Sequence, residues 1–273
     1  MLECGTTVHV IIAERMTSMA DHQPFLQAIL ANPNDDAPRL IYADWLEEQG
    51  DTARAEFIRV QCELATMPKE HPDRKLLVQR ELELRKRKHN PWMRQARKNL
   101  TGGEFARGFL EKVTMTSNQL LLHAEAIFQQ HPVRTLRLTE IEGNLEQVLS
   151  LDLSERLPTL TTLDLIGQGL RDNVINRLLT SSLIFQLQEL LLRKTLTTDY
   201  GVRALLNTLA SASPKMCRFD LRDTFLSSEV EAALKEKFGD RVLVGLYQYT
   251  PEVHQLFAGI VQRAALRRRS NTE

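Results

Sequence analysis

The chain has 273 residues, of which 42% are hydrophobic and 26% charged, a composition typical of a globular protein with one large or two moderate domains. Lys and Arg together number 35 and so do Asp and Glu, so the overall charge favours no polyanionic partner. The three cysteines are too few and too scattered for a disulfide framework or a zinc site, and no apolar run reaches the roughly 18 residues of a membrane-spanning helix.

Residues 1–20 are expected to form a disordered leader. The apolar stretch at residues 8–13 is interrupted by His9 and has no basic residue before it, which makes a poor signal peptide. Met16 and Met19 lie just before the first helical pattern, so we hypothesise that translation begins after Met1; the intact mass of the natively expressed protein would test this. The low cysteine content suggests a reducing compartment, and we predict a cytoplasmic location.

Helical patterns fill residues 21–100. The first helix is expected to begin at Asp21 and to end at the turn sequence of residues 32–35. A second helix follows, from the capping residue Asp36 to the stop signal Gly50. Two more helices are expected after it, so this region is predicted to be a small helical domain.

Residues 22–64 resemble the bacterial repeat-companion domain almost without a gap. The most specific part of the match is the core sequence Tyr42-Ala43-Asp44-Trp45-Leu46-Glu47-Glu48. The resemblance implies a bacterial source and a helical domain of the kind found beside leucine-rich or other repeats. It implies no established biochemical activity.

Two aromatic residues of this core, Tyr42 and Trp45, have the character of a ligand platform. A small helical bundle also needs a large side chain at its centre, and we interpret Trp45 as that anchor. Asp44 is expected to accept a hydrogen bond from a helix cap or from an arginine such as Arg39 or Arg59, rather than to act as a catalytic carboxylate.

Basic residues, with no acidic residue among them, occupy the stretch 85–98 after the helical patterns. Basic side chains around an aromatic ring bind nucleic acid by phosphate contact and stacking. Lys and Arg also suit a solvated helix end, where they meet the negative end of the helix dipole. The candidate nucleic-acid contacts are Arg85, Lys86, Arg87, Lys88, Trp92 and Arg94.

A phased L-x-x-L-x-L pattern recurs in the second half of the chain. Four copies begin at Val133, Leu160, Leu187 and Met216, and their fourth residues are 27, 27 and 29 residues apart. This period predicts a repeat array, and the spacing inside each copy predicts leucine-rich repeats. Each copy contains a short strand and then a helical stretch, which resembles the ribonuclease-inhibitor class and implies parallel strands on a concave side and helices on a convex side.

We therefore predict an α/β fold, with the helical domain at residues 21–100 and a short leucine-rich-repeat solenoid at residues 101–265. An atypical first strand is expected at residues 108–115, with its helix at residues 120–130. A last strand is expected at residues 242–246, followed by a closing helix, because terminal repeats have to cover an open core. Residues 266–273 are interpreted as a solvated tail.

The turn after each strand usually holds Asn or Cys in this class, and here it holds Ile141, Gln168, Thr195 and Thr224. Thr and Gln supply part of the expected hydrogen bonds, but Ile141 does not, so the first full repeat is expected to be the most irregular. The pair Gly102-Gly103 precedes a strand and is interpreted as a turn.

Side chains that alternate with the buried strand positions are expected to face the concave surface. Because adjacent strands lie about 4.8 Å apart, charges in one row either neutralise one another in lateral pairs or form a mixed-charge recognition strip with Leu191 as its apolar anchor. Both interpretations stay open. The predicted partner-binding set is Arg137, Asp164, Ile166, Glu189, Leu191, Arg193, Arg218, Asp220 and Arg222.

The sequence contains no motif of a catalytic or phosphate-binding site: the histidines show no H-E-x-x-H spacing, and there is no Gly-rich phosphate loop. We predict a non-enzymatic interaction module or adaptor, without cofactor or metal, that binds another protein through the concave face. The alternatives are a nucleic-acid-binding accessory protein that uses residues 85–98 and a regulator of a GTPase, since some proteins of this repeat class act that way.

Overall fold

The computed structural model describes residues 22–86, 91–141, 143–144, 147–148, 156–179, 181–203 and 218–245. These residues form a mixed α/β fold with a seven-stranded, mostly parallel sheet, which confirms the predicted α/β class. The predicted leader, closing helix and tail lie outside the described residues.

The chain divides into two compact units, which we name the helical unit and the strand unit. The helical unit comprises residues 1–114 and 122–134, and the strand unit comprises residues 115–121 and 135–273. The helical unit therefore includes the start of the region that the sequence patterns assign to the repeats.

Among the described residues, five helices precede the first strand. They are Gln23–Ala31 (α1), Ala37–Glu48 (α2), Thr52–Thr66 (α3), Arg74–Lys86 (α4) and Pro91–Arg97 (α5). Gly50 ends α2 as predicted, with a φ of 85° that favours glycine. Asp51 caps α3, because its carboxylate accepts a hydrogen bond of 3.2 Å from the backbone N–H of Arg54.

The predicted capping role of Asp36 at the start of α2 is wrong. Its side chain makes no capping hydrogen bond, whereas Oδ1 of Asp35 accepts one of 2.9 Å from the backbone N–H of Ala37. A capping residue normally has extended backbone angles, but Asp36 already has the helical values of −86° and −18°. Asp35, one residue earlier in the chain, therefore provides the capping hydrogen bond of α2.

The core of the helical unit is apolar and includes aromatic side chains. Trp45 packs against this core and stacks on Tyr42, with ring centroids 5.9 Å apart and planes at 12°. Its prediction as the anchor at the centre of the bundle is wrong, because its side chain is only partly buried. Asp44 lies outside this core and accepts a hydrogen bond of 2.7 Å from Arg59, as predicted. Buried members of the core include Leu26, Ile29, Ala43, Leu46, Ala55, Ile58, Cys62 and Phe109.

A β-hairpin belongs largely to the helical unit. Its strands are Gly102–Ala106 (β1) and Phe109–Thr116 (β2), which pair antiparallel. The interpretation of Gly102-Gly103 as a turn is wrong, because both glycines pair with residues of β2. The turn instead contains Arg107 and Gly108, with φ values of 51° and 86°.

Gln61 of α3 fixes this hairpin to the helices. Its Oε1 accepts a hydrogen bond of 2.7 Å from the backbone N–H of Gly108, and its Nε2 donates one of 3.2 Å to the carbonyl of Phe105. Gly108 also approaches α3 so closely that a Cβ atom there would lie 2.9 Å from the Cα of Ile58. Glycine is required at this turn by both its φ and its space.

The strand unit contains a ladder of parallel strands. They are Thr135–Thr139 (β3), Thr162–Asp164 (β4), Glu189–Leu191 (β5), Arg218–Asp220 (β6) and Val242–Leu243 (β7), in chain order. The fourth residues of the sequence repeats, Leu136, Leu163, Leu190 and Phe219, pair with one another and are buried. The repeat period therefore corresponds to one strand per repeat.

Further helices lie at Ser117–Phe128 (α6), Asp172–Leu179 (α7) and Ser228–Phe238 (α8). The first of these begins three residues earlier than the predicted helix at residues 120–130, so that it follows β2 without an intervening loop. Of the helix predicted in the third repeat, residues 199–203 are helical, and the rest lies outside the described residues.

A residue with positive φ follows each of four parallel strands: Glu140 (55°), Gly167 (74°), Lys194 (61°) and Asp223 (59°). These residues are 27, 27 and 29 positions apart, the same steps as the sequence repeats. The turns are also bonded to one another, since the backbone N–H groups of Gly167 and Lys194 donate to the carbonyls of Arg193 and Arg222.

The turn at Ile141 obtains its hydrogen bonds from other residues. The hydroxyl of Ser117 donates to the carbonyl of Glu140 at 2.6 Å, and Oε1 of Gln168 accepts from the N–H of Glu140 at 3.2 Å. In the third and fourth repeats, the hydroxyls of Thr195 and Thr224 at the same turn donate to the carbonyls three residues earlier, at 2.8 and 2.6 Å. In the described part of the first repeat, the expected irregularity does not reach the strand, since β3 has five residues and β4 three.

Candidate functional site

The predicted partner-binding residues lie on neighbouring parallel strands and on the turns that follow them. The register places in one row Arg137, Asp164, Leu191 and Asp220. Two residues earlier, the register pairs Glu189 with Arg218. Two residues after the row come Ile166, Arg193 and Arg222. We refer to these nine residues as the strand surface.

The two aspartates of the row are buried rather than exposed. Asp164 is 6% exposed and Asp220 is 5% exposed, so the expectation that both face solvent is wrong. The carboxylate of Asp164 accepts a hydrogen bond of 3.0 Å from the backbone N–H of Ile166. Asp220 accepts bonds of 2.8 and 2.6 Å from the guanidinium of Arg222. Each buried carboxylate is therefore satisfied by a residue two positions later in its own segment. These bonds take the place of the lateral charge pairs within the row that one of the two interpretations proposes.

The remaining residues of the strand surface are half-buried or exposed. Glu189 and Arg218 form the lateral ion pair, with an N–O distance of 3.6 Å between adjacent strands. Arg218 is exposed, while Arg137, Leu191 and Ile166 are half-buried. Among the described residues, Arg137 has no ion pair with a carboxylate, although Asp164 is its direct neighbour in the register.

The basic stretch has fewer free groups than its sequence indicates. Arg85 donates to Glu81 at 2.6 Å, Lys86 and Arg94 are exposed, and Arg87 and Lys88 lie outside the described residues. The ring of Trp92 is 5.0 Å from that of Phe57 and 5.8 Å from that of Phe105, measured between centroids. The guanidinium of Arg54 lies 4.5 Å over the same ring. Trp92 is thus a packing residue of the helical unit.

The helical unit contains a cavity of about 360 Å³ that the sequence patterns do not reveal. Side chains from α1, α2, α3 and α5 line it, together with the two residues Gln130 and His131 that follow α6. Its polar and aromatic lining includes His22, Tyr42, Trp45, Arg54, Trp92 and His131. The volume falls within the range of about 300 to 1,000 Å³ that is typical of small-molecule sites.

Burial lowers the pKa values of the basic side chains around this cavity. Arg54 is 8% exposed and hydrogen-bonds to the hydroxyl of Tyr42, while burial lowers the pKa of its guanidinium. His131 is 5% exposed, and burial together with the nearby Arg54 lowers its pKa to about 3. The pKa of His22 is lowered by the same two causes. The imidazole of His131 is therefore neutral at physiological pH.

Sequence reasoning considered Tyr42 and Trp45 as a ligand platform but had no signal for Arg54. An arginine in the first turn of a helix is normally solvated. Its burial depends on contacts with Trp92 and Phe109, which come from distant parts of the chain. Only the tertiary structure brings these groups together.

Within the described residues, no helix is long and apolar enough to cross a membrane. The same residues contain no group of three or more His, Cys, Asp or Glu side chains placed to hold a metal ion. The sequence matches no protein-family model, and no curated protein is significantly similar to it.

Proposed function

We propose that the protein is a non-enzymatic interaction module that binds another protein on the strand surface. The observation that carries this proposal is the alignment of charged and apolar side chains from four parallel strands in one register. Such a surface offers evenly spaced contacts to a partner. The leucine-rich-repeat pattern and the resemblance to the repeat-companion domain support the same function.

The charges of the strand surface define what the partner has to supply. Asp220 neutralises Arg222, and Glu189 lies beside Arg218, so these pairs need no external charge. Arg137 has no such carboxylate among the described residues. We therefore expect the partner to place a carboxylate near Arg137 and an apolar group on Leu191, since arginine and buried apolar contacts contribute strongly at interfaces.

A photo-crosslinking experiment tests this function. The photoreactive residue p-benzoyl-phenylalanine replaces Leu191 in the full chain, or Lys235 as a control, since Lys235 is exposed on α8 outside the strand surface. After illumination of the cells that express the protein, we expect a discrete adduct from position 191 that is absent from position 235. The same adducts from both positions would contradict the proposal.

The crosslinked partner then permits a quantitative test. Arg137→Ala is expected to weaken its binding by about tenfold, because the partner loses a charge-assisted contact. Lys235→Ala is expected to leave the affinity unchanged. Isothermal titration calorimetry with the purified partner measures both. Nucleic-acid binding and GTPase regulation stay predictions, and the packing of Trp92 favours the protein partner over nucleic acid.

A further inference from the structure

Arg54 is a buried cation without a matching carboxylate. Among the described residues, none forms a salt bridge with its guanidinium, and Tyr42 is its hydrogen-bonding side chain. Asp51, the capping residue before α3, acts on Arg54 through its charge, but its Oδ1 accepts from the backbone N–H of Arg54. A guanidinium has five N–H donors, and that of Arg54 lines the cavity, where Tyr42 is its one hydrogen-bonding side chain among the described residues.

Arg39, in the same unit, is a buried arginine with a fuller set of acceptors, although its Nε has no partner within the described residues. Its side chain has 0% exposure, and its nitrogens donate to the carbonyls of Asp35 at 2.8 Å and Pro33 at 3.0 Å. It also forms a salt bridge of 3.1 Å with Glu111. Arg54 is also buried, at 8% exposed, but it has no salt bridge within the described residues. Burial of a charge without a carboxylate partner is costly, so Arg54 on the cavity wall indicates a site for an external anion.

The rest of the cavity wall combines aromatic rings with aliphatic and amide side chains and the carboxylate of Asp51. Tyr42, Trp45 and Trp92 contribute three ring systems, and Trp92 is stacked beneath the guanidinium. The buried Nδ1 of His131 has no hydrogen-bond partner within the described residues. Flat aromatic walls favour a planar apolar group in the ligand.

The charge of the lining limits the charge of the ligand. Within the described residues, the lining has no Lys or Arg besides Arg54, and Asp51 adds a carboxylate. One guanidinium matches one carboxylate in a bidentate pair. A phosphate dianion would require more positive charge than this wall supplies, so a monoanion fits better.

We propose that the cavity of the helical unit is a binding site for a small aromatic carboxylate. The carboxylate pairs with Arg54, and the aromatic ring lies against the tryptophan walls. This site is independent of the strand surface and of the protein partner proposed for it, so either proposal can fail without the other.

The chain itself provides the probe for this site. It contains two tryptophans, Trp45 and Trp92, and both line the cavity. The emission of the full-length protein therefore reports on this region alone. We expect 3-phenylpropionate to change the emission in a saturable manner. The uncharged 3-phenylpropanamide and the ring-free propionate are expected to bind at least about tenfold more weakly, because each lacks one half of the recognition.

Variants assign the effect to Arg54. Arg54→Met keeps the length of the side chain without its charge and is expected to lower the affinity for 3-phenylpropionate by at least about tenfold. Arg80→Met, an exposed position on α4, is the matched control and is expected to bind like the wild type. Circular dichroism checks that both variants are folded.

Three outcomes would overturn the proposal. They are an emission that does not respond to 3-phenylpropionate up to its solubility limit, equal affinity for the acid and its amide, and unchanged affinity in folded Arg54→Met. If Arg54→Met does not fold, the comparison of the acid with its amide on the wild-type protein decides the question by itself.

Discussion

Two buried arginines of the helical unit differ in how their charges are compensated. Arg39 bonds to backbone carbonyls and to Glu111, so it connects the turn before α2 with β2. Arg54 instead rests on the rings of Trp92 and Phe109 and faces a cavity. The first arginine therefore serves stability, while the second places a charge without a salt bridge on the cavity wall.

Replacement of Arg39 should destabilise the protein strongly. Arg39→Met removes charge-assisted hydrogen bonds to the carbonyls of Asp35 and Pro33 and a salt bridge to Glu111, and we expect a loss of about 3 kcal/mol in the free energy of unfolding. Arg59→Ala is the control, because its ion pairs with Asp44 and Glu47 are largely exposed and their loss should cost less than about 1 kcal/mol. Urea denaturation measures both, and equal losses would contradict the assigned role of Arg39.

His131 should make the protein sensitive to acid. Its pKa is about 3 in the folded chain, against 6.5 for an ordinary imidazole, so below pH 6.5 the unfolded chain binds the proton more readily. The stabilising contribution is present above this pH and is lost as the pH falls towards 3. Between pH 7 and pH 5 the wild type should therefore lose about 2 kcal/mol more of its unfolding free energy than His131→Phe.

Phenylalanine is chosen at position 131 because it keeps ring contacts with Phe105 and Phe109 and has no titrating group. His22 also has a lowered pKa, so the variant should retain a smaller dependence on pH. Urea denaturation at both pH values measures the difference. A variant that loses as much stability as the wild type would show that another group causes the acid sensitivity.

At the scale of elements, the hairpin of β1 and β2 depends on the fit of its turn against α3. Gly108 has a φ of 86° and no room for a side chain, because a Cβ would lie 2.4 Å from Cγ1 of Ile58. Gly50 has a φ of 85°, but a Cβ there would meet nothing within 4 Å. The two glycines thus share a backbone conformation but differ in the room that is available for a side chain.

This pair separates backbone strain from steric exclusion. Gly50→Ala should cost about 1 kcal/mol through its positive φ alone, whereas Gly108→Ala should cost about 3 kcal/mol, because α3 and the hairpin also have to separate. Thermal and urea denaturation of both variants measure the difference. Similar costs for both would mean that the hairpin moves away from α3 at little expense.

The sequence predicts these elements unevenly. The parallel strands can be predicted from the repeat period, because the apolar residues that recur at each period lie in successive strands and pair with one another. The strand character of Gly102-Gly103 is invisible in the sequence, since it depends on pairing with β2 rather than on the glycines themselves. The sequence also fails to predict that α6 begins at Ser117. The hydroxyl of this residue donates to the carbonyl of Glu140, a hydrogen bond at the turn that the side chain of Ile141 cannot make.

The candidate sites show the same limit. Alternation along the strands predicts which residues share a row, but it does not predict that Asp164 and Asp220 are buried. Their burial depends on hydrogen bonds to a backbone amide and to Arg222, which the pattern of apolar residues does not encode. The cavity is less predictable still, because Arg54 meets Trp92 only through tertiary packing.

At the scale of the whole molecule, positive and negative side chains are equal in number, at 35 each. The basic residues at 85–98 are therefore a local feature, and Arg85 is already paired with Glu81. The strand surface likewise combines both signs of charge. Long-range attraction to a polyanion should be weak, since a net charge of zero provides no steering field.

We accordingly expect little retention on a heparin column at about 0.15 M salt, where exposed charges are screened beyond roughly 8 Å. The full-length protein is compared with Lys86→Glu/Arg94→Glu, which reverses the charge of two of the four exposed basic residues in the described part of the stretch. The elution salt should change little between them. Strong retention that this variant abolishes would favour the nucleic-acid alternative.

The left-handed residues after the strands have a consequence for how such a chain changes in length. Glu140, Gly167, Lys194 and Asp223 are equivalent points in successive repeats. A gene segment that encodes the residues from one such point to the next contains one strand and one turn in the same phase. Duplication or loss of that segment would add or remove one strand, and every remaining turn would keep its backbone conformation. An insertion of one residue within a strand would instead shift the alternation of its buried and outward-facing side chains. Evolution of the array should therefore proceed in whole repeats.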